Sequence, residues 1–308
     1  MKSQSDPTPF RVPVAPRVFT RALLCALCAS VVNLSPAATI PIADPFVLLH
    51  NDTYYAYGTG DETDPDGVFH VYTSKNLRVW RKHPPVLRRA DIAAAPVIAT
   101  RFFWAPEVVY RQSDQKFYLF YTASNDTSNS EHLYVATADS PLGPFTNISA
   151  LLPDTRAIDS TLVFDGDIPL LFFVRTMSGQ NIIHSARLNS DWKSLATSPV
   201  EVLRPTETWE NGCTEGPSII GPRNGTYYLL YSGNWYDNQN YSVGYATSKS
   251  LNGPWTKYPS NPILKKSATH NLYGPGHGGP FWDKDGVRRY IFHSHASDSA
   301  WNPRHLQI

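Results

Sequence analysis

The sequence carries almost no net charge. Its 27 lysine and arginine residues nearly balance 26 aspartate and glutamate residues, which leaves a net charge of +1. Without a basic field, the composition argues against binding to nucleic acid or to an anionic membrane surface. The apolar fraction of 42% is ordinary for globular proteins, so the 308 residues can bury a sizeable core.

Cysteine is scarce, and two of the three cysteines lie in a segment typical of a signal peptide. Cys25 and Cys28 fall within "ALLCALCASVV" (residues 22–32), a short apolar run that follows basic residues and precedes small residues suited to cleavage. The run is too short to span a membrane comfortably, which disfavours the alternative of a type II anchor. We therefore expect residues 1–38 to be a signal peptide, and the protein to be secreted with no membrane partner in its mature form.

Cys213 would then be the only cysteine of the mature chain. A single cysteine excludes an intrachain disulfide. Its position near Glu215 leaves a catalytic thiol open, but no suitable histidine partner lies nearby in the sequence. We therefore expect a buried structural cysteine.

The sequence contains five Asn-x-Ser/Thr sequons outside the signal segment. They begin at Asn51, Asn125, Asn147, Asn224 and Asn240. Most lie beside turn-like segments, as expected of a surface that is glycosylated in a secretory pathway.

No segment of useful length follows the 3.6-residue period of an amphipathic helix. Instead, five segments repeat one pattern, a short polar turn followed by a strand-like aromatic run, at intervals of about 50 to 65 residues. Four of the five are followed by a second strand and a turn that ends in an aromatic residue. The five segments begin at Asn51 ("NDTYYAYGTG"), Asp114 ("DQKFYLFYTAS"), Gly166 ("GDIPLLFFV"), Arg223 ("RNGTYYLLYSGN") and Lys284 ("KDGVRRYIFHSH").

Many short strands with regular turn signals indicate an all-β architecture. Repeats of this length, each with about four strands, predict a five-bladed β-propeller, formed as a single domain by residues 39–308. A β-sandwich would not explain the recurrence, and a parallel β-helix would need much shorter repeats. Because the chain stops soon after the fifth repeat signal, we expect the last blade to be short or completed by the N-terminal strand.

One sequence position recurs about ten residues before each aromatic run. In a propeller, the inner strands of the blades start at one mouth of the central tunnel, so residues in equivalent phase converge there. Clustered carboxyls raise one another's pKa, which suggests chemistry or a bound cation, although the same residues could simply form turns. The position holds Asp44, Asp159, Glu215 and His277 in blades one, three, four and five, and Ala105, flanked by Trp104 and Glu107, in blade two.

Paired carboxyls at a controlled separation are what glycoside hydrolysis requires. A protonated carboxyl donates to the leaving oxygen, an ionised one activates water, and a third can tune and orient the acid. Trp104, Phe46 and Trp235 lie near these positions and could form aromatic walls for a sugar ring. Core filling between blades is the alternative for each of them.

The same stretches resemble glycoside hydrolase family 43 over essentially the whole chain from about Ile40. The resemblance rests on "ADPF", "WAPEV", "IDSTLVFD", "EGPSI" and "GPGHG", taken in this order. It implies a five-bladed β-propeller and the inverting hydrolysis of furanosides or pyranosides in plant-type polysaccharides.

The resemblance also implies roles for individual residues. Asp44 matches the general base, Glu215 the general acid, and Asp159 the carboxylate that modulates the pKa of the acid and orients it. His277 matches a central histidine that lies under the pocket and, in many relatives, helps to hold an axial calcium ion or a water cluster. Trp104 matches a pocket-lining tryptophan.

Two positions depart from the family pattern. Phe46 stands where a small residue is common, and Ser160 follows the third-blade aspartate where proline or glycine is frequent. Neither position carries a proton-transfer role, but Phe46 could reshape the pocket.

The functional hypothesis is a secreted, monomeric glycosidase that releases pentose from arabinan, arabinoxylan or xylan. An α-L-arabinofuranosidase is the most specific version and a β-xylosidase is the closest alternative. A carbohydrate-binding propeller without catalysis and a protein-binding scaffold are the other two hypotheses. No cofactor is required, and because no dense Asp/Glu loop is present, a structural calcium ion rests mainly on the resemblance.

Overall fold

The computed structural model describes residues 40–60, 63–95, 99–124, 131–153 and 155–308. The expected signal peptide, with its two cysteines, and the sequon at Asn125 lie outside these ranges. Within them, no helix is both long and apolar enough to cross a membrane. Because the expected signal peptide lies outside the described residues, secretion stays a prediction.

The described residues form five antiparallel sheets, in each of which the strands follow chain order from the axis outward. The first sheet consists of β1 (Phe46–His50), β2 (Thr53–Tyr57), β3 (Gly67–Ser74) and β4 (Arg81–Arg88). The second consists of β5 (Arg101–Arg111), β6 (Lys116–Ser124), β7 (His132–Ala138) and β8 (Thr146–Ala150). The third consists of β9 (Ile158–Asp165), β10 (Ile168–Met177), β11 (Gln180–Arg187) and β12 (Val200–Leu203).

The last two sheets follow the same order, but the fifth is smaller. The fourth consists of β13 (Thr214–Arg223), β14 (Thr226–Gly233), β15 (Ser242–Ser248) and β16 (Thr256–Lys257). The fifth has three strands, β17 (Gly276–Trp282), β18 (Arg288–Ser294) and β19 (His305–Gln307). Helical structure in the described ranges is limited to α1 (Arg89–Ala93) and two 3₁₀ turns, Thr208–Glu210 and Ala268–His270.

This arrangement confirms the predicted five-bladed β-propeller. The five aromatic runs of the repeat form the second strand of each blade, namely β2, β6, β10, β14 and β18. These strands are rich in tyrosine and phenylalanine because both of their faces are covered. In β6, eight of the nine residues are buried. The aromatic repeat in the sequence is therefore the signature of a strand held in the middle of each blade.

The ring closes where the first and fifth blades meet. The Leu306 N–H donates a hydrogen bond to the Ile40 carbonyl oxygen at 3.0 Å. Val47, Phe281 and Ile291 pack together with both of these residues in one hydrophobic cluster. The last blade is therefore short, with three strands, which is the first of the two expected forms, and a backbone hydrogen bond joins it to Ile40.

Hydrophobic clusters lie between neighbouring blades and fix the inner strands. Between the first two blades, Phe69 packs edge-on against both Phe103 and Tyr121, with ring centroids 6.0 and 5.4 Å apart. Complete burial of one such side chain contributes about 1.5–3 kcal/mol. Because the inner strands are held on both sides, their starting residues have fixed positions around the axis.

Four of the five sequon asparagines fall within the described ranges. Asn51, Asn147, Asn224 and Asn240 are all exposed. Their side chains are therefore accessible to a glycosylating enzyme, and glycosylation itself stays a prediction.

Candidate active site

One residue at the start of each inner strand adopts the left-handed backbone conformation. These residues are Asp44 (φ 50°), Ala105 (φ 46°), Asp159 (φ 56°), Gly216 (φ 55°) and His277 (φ 39°). For residues other than glycine, this conformation costs about 1–3 kcal/mol and persists only where the surroundings hold it. The equivalence of the five positions around the axis, predicted from the repeat, is therefore present in the backbone itself.

Hydrogen bonds from the backbone N–H groups of these five residues hold the strained conformation. In four blades the acceptor is a polar side chain on or just after the second strand of the preceding blade. The bonds run from Asp44 to His293 Nδ1 (3.1 Å), from Ala105 to Thr59 Oγ1 (3.2 Å), from Asp159 to Thr122 Oγ1 (3.2 Å), and from His277 to Ser232 Oγ (2.8 Å). In the fourth blade the Gly216 N–H donates instead to Asp159 Oδ2 at 3.2 Å. Each blade thereby positions the site residue of the next.

The position of Glu215 along its inner strand differs by one residue from the position that the sequence predicted. Glu215 does not share the position of Asp44, Asp159 and His277, because Gly216 takes the left-handed conformation in the fourth blade. Glu215 pairs with Ser232 in the sheet, as Trp104 pairs with Thr122 in the second blade. A Cβ at Gly216 would lie only 3.0 Å from the His277 ring, which leaves little room for a side chain there. The longer glutamate reaches the site from the preceding residue.

Asp44 lies in a strongly electropositive environment. Its Oδ1 is 2.9 Å from Arg304 Nη1 and 3.2 Å from His277 Nδ1, and its Oδ2 accepts a hydrogen bond from the Thr59 hydroxyl. Burial alone would raise the pKa of Asp44, but Arg304 and His277 outweigh burial and hold it well below its ordinary value. Asp44 is therefore ionised over the whole physiological pH range.

The pKa of Asp159 is shifted in the opposite direction, upward. Asp159 is 7% exposed, and its Oδ2 lies 3.8 Å from His277 Nδ1. Burial raises the pKa of Asp159 to about 7, with Glu215 and Asp44 adding to the rise and His277 opposing it. This carboxyl cluster therefore holds a proton up to near-neutral pH.

Glu215 is 6% exposed, and both of its carboxyl oxygens have partners. Asn181 Nδ2 donates to Oε2 at 2.9 Å, and the Tyr241 hydroxyl donates to Oε1 at 2.8 Å. The carboxyl is therefore held in one orientation, and that orientation faces the open pocket.

Two histidines complete the charge distribution. Burial would lower the pKa of His277, but the carboxylates of Asp159 and Asp44 outweigh burial and raise it. Burial, together with the Arg304 cation, lowers the pKa of His293 to about 3. His293 is therefore neutral, in keeping with its Nδ1 accepting the Asp44 N–H.

A pocket of about 480 Å³ opens over these residues. Six of the predicted residues line it. Arg304, Tyr236 and Trp301 join them from the fourth and fifth blades. The predicted residues in its lining are Asp44, Trp104, Asp159, Glu215, Trp235 and His277. A pocket of this size, with a mixed aromatic and charged lining, is typical of a small-molecule or sugar site.

Phe46 does not line this pocket, which corrects the prediction that it contacts substrate. It lines a separate axial cavity of about 20 Å³ beneath the pocket. Phe46 is the first residue of β1, and Asp44 precedes this strand by two residues. Phe46 therefore lies farther along the axis than Asp44.

The axial cavity is the place where the family resemblance implies a calcium ion or water. His277, Glu107 and Ser160 line it, and burial raises the pKa of Glu107 to about 8. Its volume suits roughly one water molecule. Within the described ranges, no group of three or more acidic, histidine or cysteine side chains is arranged to hold a metal ion, whereas calcium takes about 6–8 oxygen ligands. A structural calcium ion at this position stays a prediction.

Cys213 is fully buried and is not positioned as a nucleophile. Burial, together with the Glu215 and Asp159 carboxyls, raises the pKa of its thiol well above the ordinary value. A thiol without thiolate character is unreactive. The expected structural role is consistent with this environment.

Arg304, Asn181, Tyr241 and His293 were missed by the sequence analysis. Arg304 lies between β18 and β19, 260 residues away from Asp44 along the chain. Asn181 and Tyr241 lie at the starts of outer strands, where the repeat pattern carries no polar signal. His293 occupies the second strand of its blade, at the position of Ser232 in the fourth blade, so alignment of the second strands could have found it.

Comparisons with known proteins are consistent with this site. The model of a family described as glycosyl hydrolases family 43 matches residues 35–307. A β-D-galactofuranosidase of Aspergillus niger is 26% identical over 279 residues, which cover 85% of this chain and 76% of the relative. An α-L-arabinofuranosidase of Humicola insolens is 25% identical over 298 residues, which cover 88% of this chain but only 59% of the relative.

Solved structures are similar in fold as well as in sequence. A Bacteroides thetaiotaomicron protein described as an endo-1,4-β-xylanase has a TM-score of 0.78 and 41% identity, covering 87% of this chain and 89% of that one. A thermostable family-43 glycoside hydrolase also has a TM-score of 0.78, with 30% identity over 89% of this chain and 90% of that one.

Proposed function

This chain belongs to glycosyl hydrolases family 43, and on that premise we propose that it releases pentose units from arabinan, arabinoxylan or xylan. An α-L-arabinofuranosidase is the first candidate activity, supported by the similarity to the Humicola enzyme. A β-xylosidase is the second candidate, because the Bacteroides protein with 41% identity is described as acting on xylan. Both activities would use the same three carboxyls.

The observation that carries the proposal is the meeting of three acidic side chains from three different blades in one pocket. Asp44, Asp159 and Glu215 all line it. Their environments differ, because Arg304 and His277 hold the pKa of Asp44 well below its ordinary value, while burial, with Glu215 adding to the rise, raises the pKa of Asp159 to about 7. Asp44 is therefore ionised, as a base must be, and the cluster of Asp159 and Glu215 retains a proton up to near-neutral pH, as the acid role requires.

In the proposed reaction, Glu215 gives its proton to the leaving oxygen while the bond between that oxygen and the anomeric carbon breaks. The bonding electron pair stays with the leaving oxygen. A water molecule attacks the anomeric carbon from the opposite face, and Asp44 accepts the proton that this water releases. The product has the inverted anomeric configuration. Asp159 orients the acid through its hydrogen bond from the Gly216 N–H, next to Glu215.

A panel of nitrophenyl glycosides and branched polysaccharides tests the proposed function. We expect the highest kcat/KM on the α-L-arabinofuranoside, arabinose release from arabinan and arabinoxylan, and an inverted first product by NMR. A higher kcat/KM on the β-xyloside would favour the second candidate. Sugar binding without hydrolysis of any substrate would favour a carbohydrate-binding propeller and contradict the proposal.

The rim of the pocket favours a substrate longer than one sugar. Tyr236 and Trp301 form an edge-to-face pair with ring centroids 5.5 Å apart, and they are 43% and 41% exposed. Arg304 lies over the Tyr236 ring at 5.3 Å, which ties the pair to the residue that holds Asp44. Exposed aromatic rings at the edge of a pocket provide flat apolar surfaces on which sugar rings can pack.

Replacing Trp301 by alanine should remove most of the gain in kcat/KM that a longer oligosaccharide has over a disaccharide. A lost ring contact of about 0.5–1.5 kcal/mol corresponds to a roughly 2- to 12-fold effect, mainly through KM. Rates on a series of oligosaccharides of increasing length measure it. Trp282→Ala is the matched control, because Trp282 is 55% exposed, stacks with Arg288 and lies outside the pocket. Unchanged length dependence in Trp301→Ala would contradict a role in binding.

A further inference from the structure

Two hydrogen bonds to Glu215 come from two different blades. Asn181 is the second residue of β11 in the third blade, and Tyr241 directly precedes β15 in the fourth. Their side chains contact separate oxygens of the carboxyl, at 2.9 Å and 2.8 Å. Asn181 is 5% exposed and Tyr241 is fully buried, so water does not compete freely for either bond.

The orientation of the Asn181 amide is fixed by its other contacts. The Thr176 hydroxyl donates to Asn181 Oδ1 at 2.7 Å, which leaves the NH₂ group facing Glu215. The Asn181 backbone N–H donates to the Gly212 carbonyl at 3.1 Å, and its carbonyl accepts from Thr214 Oγ1 at 3.0 Å. The amide therefore cannot turn away from the carboxyl without breaking the bond from Thr176, and the backbone bonds hold Asn181 itself in place.

Tyr241 is fixed equally well. Its ring stacks on His293 with a centroid distance of 5.7 Å and an interplanar angle of 10°. Gly276 leaves room for the ring, since a Cβ at that position would lie 2.1 Å from it. Burial, and then the Glu215 carboxyl, raise the pKa of Tyr241 well above its ordinary value, so the hydroxyl keeps its proton.

We propose that Asn181 and Tyr241 are positioning residues, which aim Glu215 and stabilise the carboxylate that remains after Glu215 has protonated the leaving oxygen. The inference rests on the proposed acid role of Glu215. As the O–H bond of the carboxyl breaks and a new O–H bond forms on the leaving group, negative charge develops on the two carboxyl oxygens. Asn181 N–H and Tyr241 O–H already point at these oxygens. Donors arranged in advance stabilise such charge without reorganisation.

The dependence of the rate on the leaving group distinguishes this role from a structural one. A sugar leaving group needs a proton from the acid, whereas dinitrophenolate leaves without one. For Tyr241→Phe and for Asn181→Ala, we expect kcat/KM on sugar leaving groups to fall about 10- to 100-fold. On the 2,4-dinitrophenyl glycoside the fall should be only a few-fold. Equal losses on both substrates, or no loss on either, would overturn the proposal.

Tyr231→Phe is the matched control. Tyr231 is a buried tyrosine of the same blade, and its hydroxyl donates to Glu210 Oε1 at 2.7 Å outside the pocket. Its loss should lower Tm without any selectivity for the leaving group. Phenylalanine keeps the aromatic ring in both variants, so the fold is retained, and circular dichroism checks this.

Glu215→Gln separates failure of this inference from failure of the proposed function. If Glu215→Gln is selective for the leaving group and the two positioning variants are not, Asn181 and Tyr241 have no role in proton donation while the acid assignment stands. If Glu215→Gln itself shows no selectivity, the acid assignment is wrong and the inference falls with it.

Discussion

Replacing Asp44 by asparagine should lower kcat/KM about 10²- to 10⁴-fold, the usual contribution of a positioned general base. Asparagine has nearly the same shape but cannot accept a proton from water at neutral pH. Since Arg304 and His277 hold the pKa of Asp44 well below its ordinary value, the wild-type enzyme should keep its kcat/KM on the acidic side down to about pH 4. Initial rates on the best nitrophenyl substrate measure both effects.

The same substitution also affects stability, which the control must separate from catalysis. Asp44→Asn leaves the Arg304 cation, 10% exposed, without its carboxylate, and removing one partner of a buried pair costs about 3–5 kcal/mol. The double variant Asp44→Asn/Arg304→Met removes both charges and should recover much of the lost Tm but none of the turnover. Wild-type kcat/KM in a folded Asp44→Asn enzyme would refute the base assignment.

Glu215→Gln should lower kcat/KM on substrates with a sugar leaving group about 10²- to 10⁴-fold, because glutamine cannot donate a proton to the leaving oxygen. On a 2,4-dinitrophenyl glycoside the loss should be only a few-fold, since that leaving group needs no protonation. Rates on matched substrates that differ only in the leaving group measure this difference. Equal losses on both substrates would contradict the acid role.

The dependence of activity on pH is an independent test of the acid role of Glu215. In the wild-type enzyme, activity should fall as the pH rises through about 7, because the pKa of Asp159 is raised to about 7 and the carboxyl cluster loses its proton there. This alkaline limb should disappear in Glu215→Gln, whose residual rate does not depend on a donated proton.

Glu210→Gln provides the control for the change from glutamate to glutamine. Glu210 is a fully buried carboxylate that pairs with Lys257 at 2.7 Å and lies outside the pocket. Its replacement should lower Tm and leave both the ratio of rates on the two leaving groups and the alkaline limb unchanged.

The blade number and the central convergence could be predicted because both follow from local patterns. A polar turn followed by an aromatic strand specifies one hairpin, and its fivefold recurrence specifies the ring. Residues in equivalent phase, such as Asp44 and Asp159, then lie at equivalent positions around the axis, which requires no knowledge of long-range contacts.

The prediction for the fourth blade was off by one residue. It placed Glu215 with the two aspartates, whereas Pro217, aligned with Pro45 and Pro106, puts Gly216 at that position. The other four blades hold side chains in the left-handed conformation, so the close approach of the His277 ring is what favours glycine at Gly216, and the carboxylate stands at the preceding residue. A glycine directly after the glutamate was the available signal.

The contacts that decide protonation could not be predicted, because they join residues far apart in the chain. Arg304 reaches Asp44 from the last blade, and Asn181 reaches Glu215 from the third. Phe46 lies near Asp44 in the sequence, yet the direction of the strand carries it below the pocket.

By itself, the sequence determined a propeller of five blades and the three acidic residues that its centre brings together, because turns and strand patterns are local and repeat in register. The tertiary structure alone decided that Asp44 is ionised, that the cluster of Asp159 and Glu215 retains a proton, and that Glu215 is held from two sides. Those properties depend on burial and on charged or hydrogen-bonding partners from other blades, and closure of the ring is what brings these partners into contact.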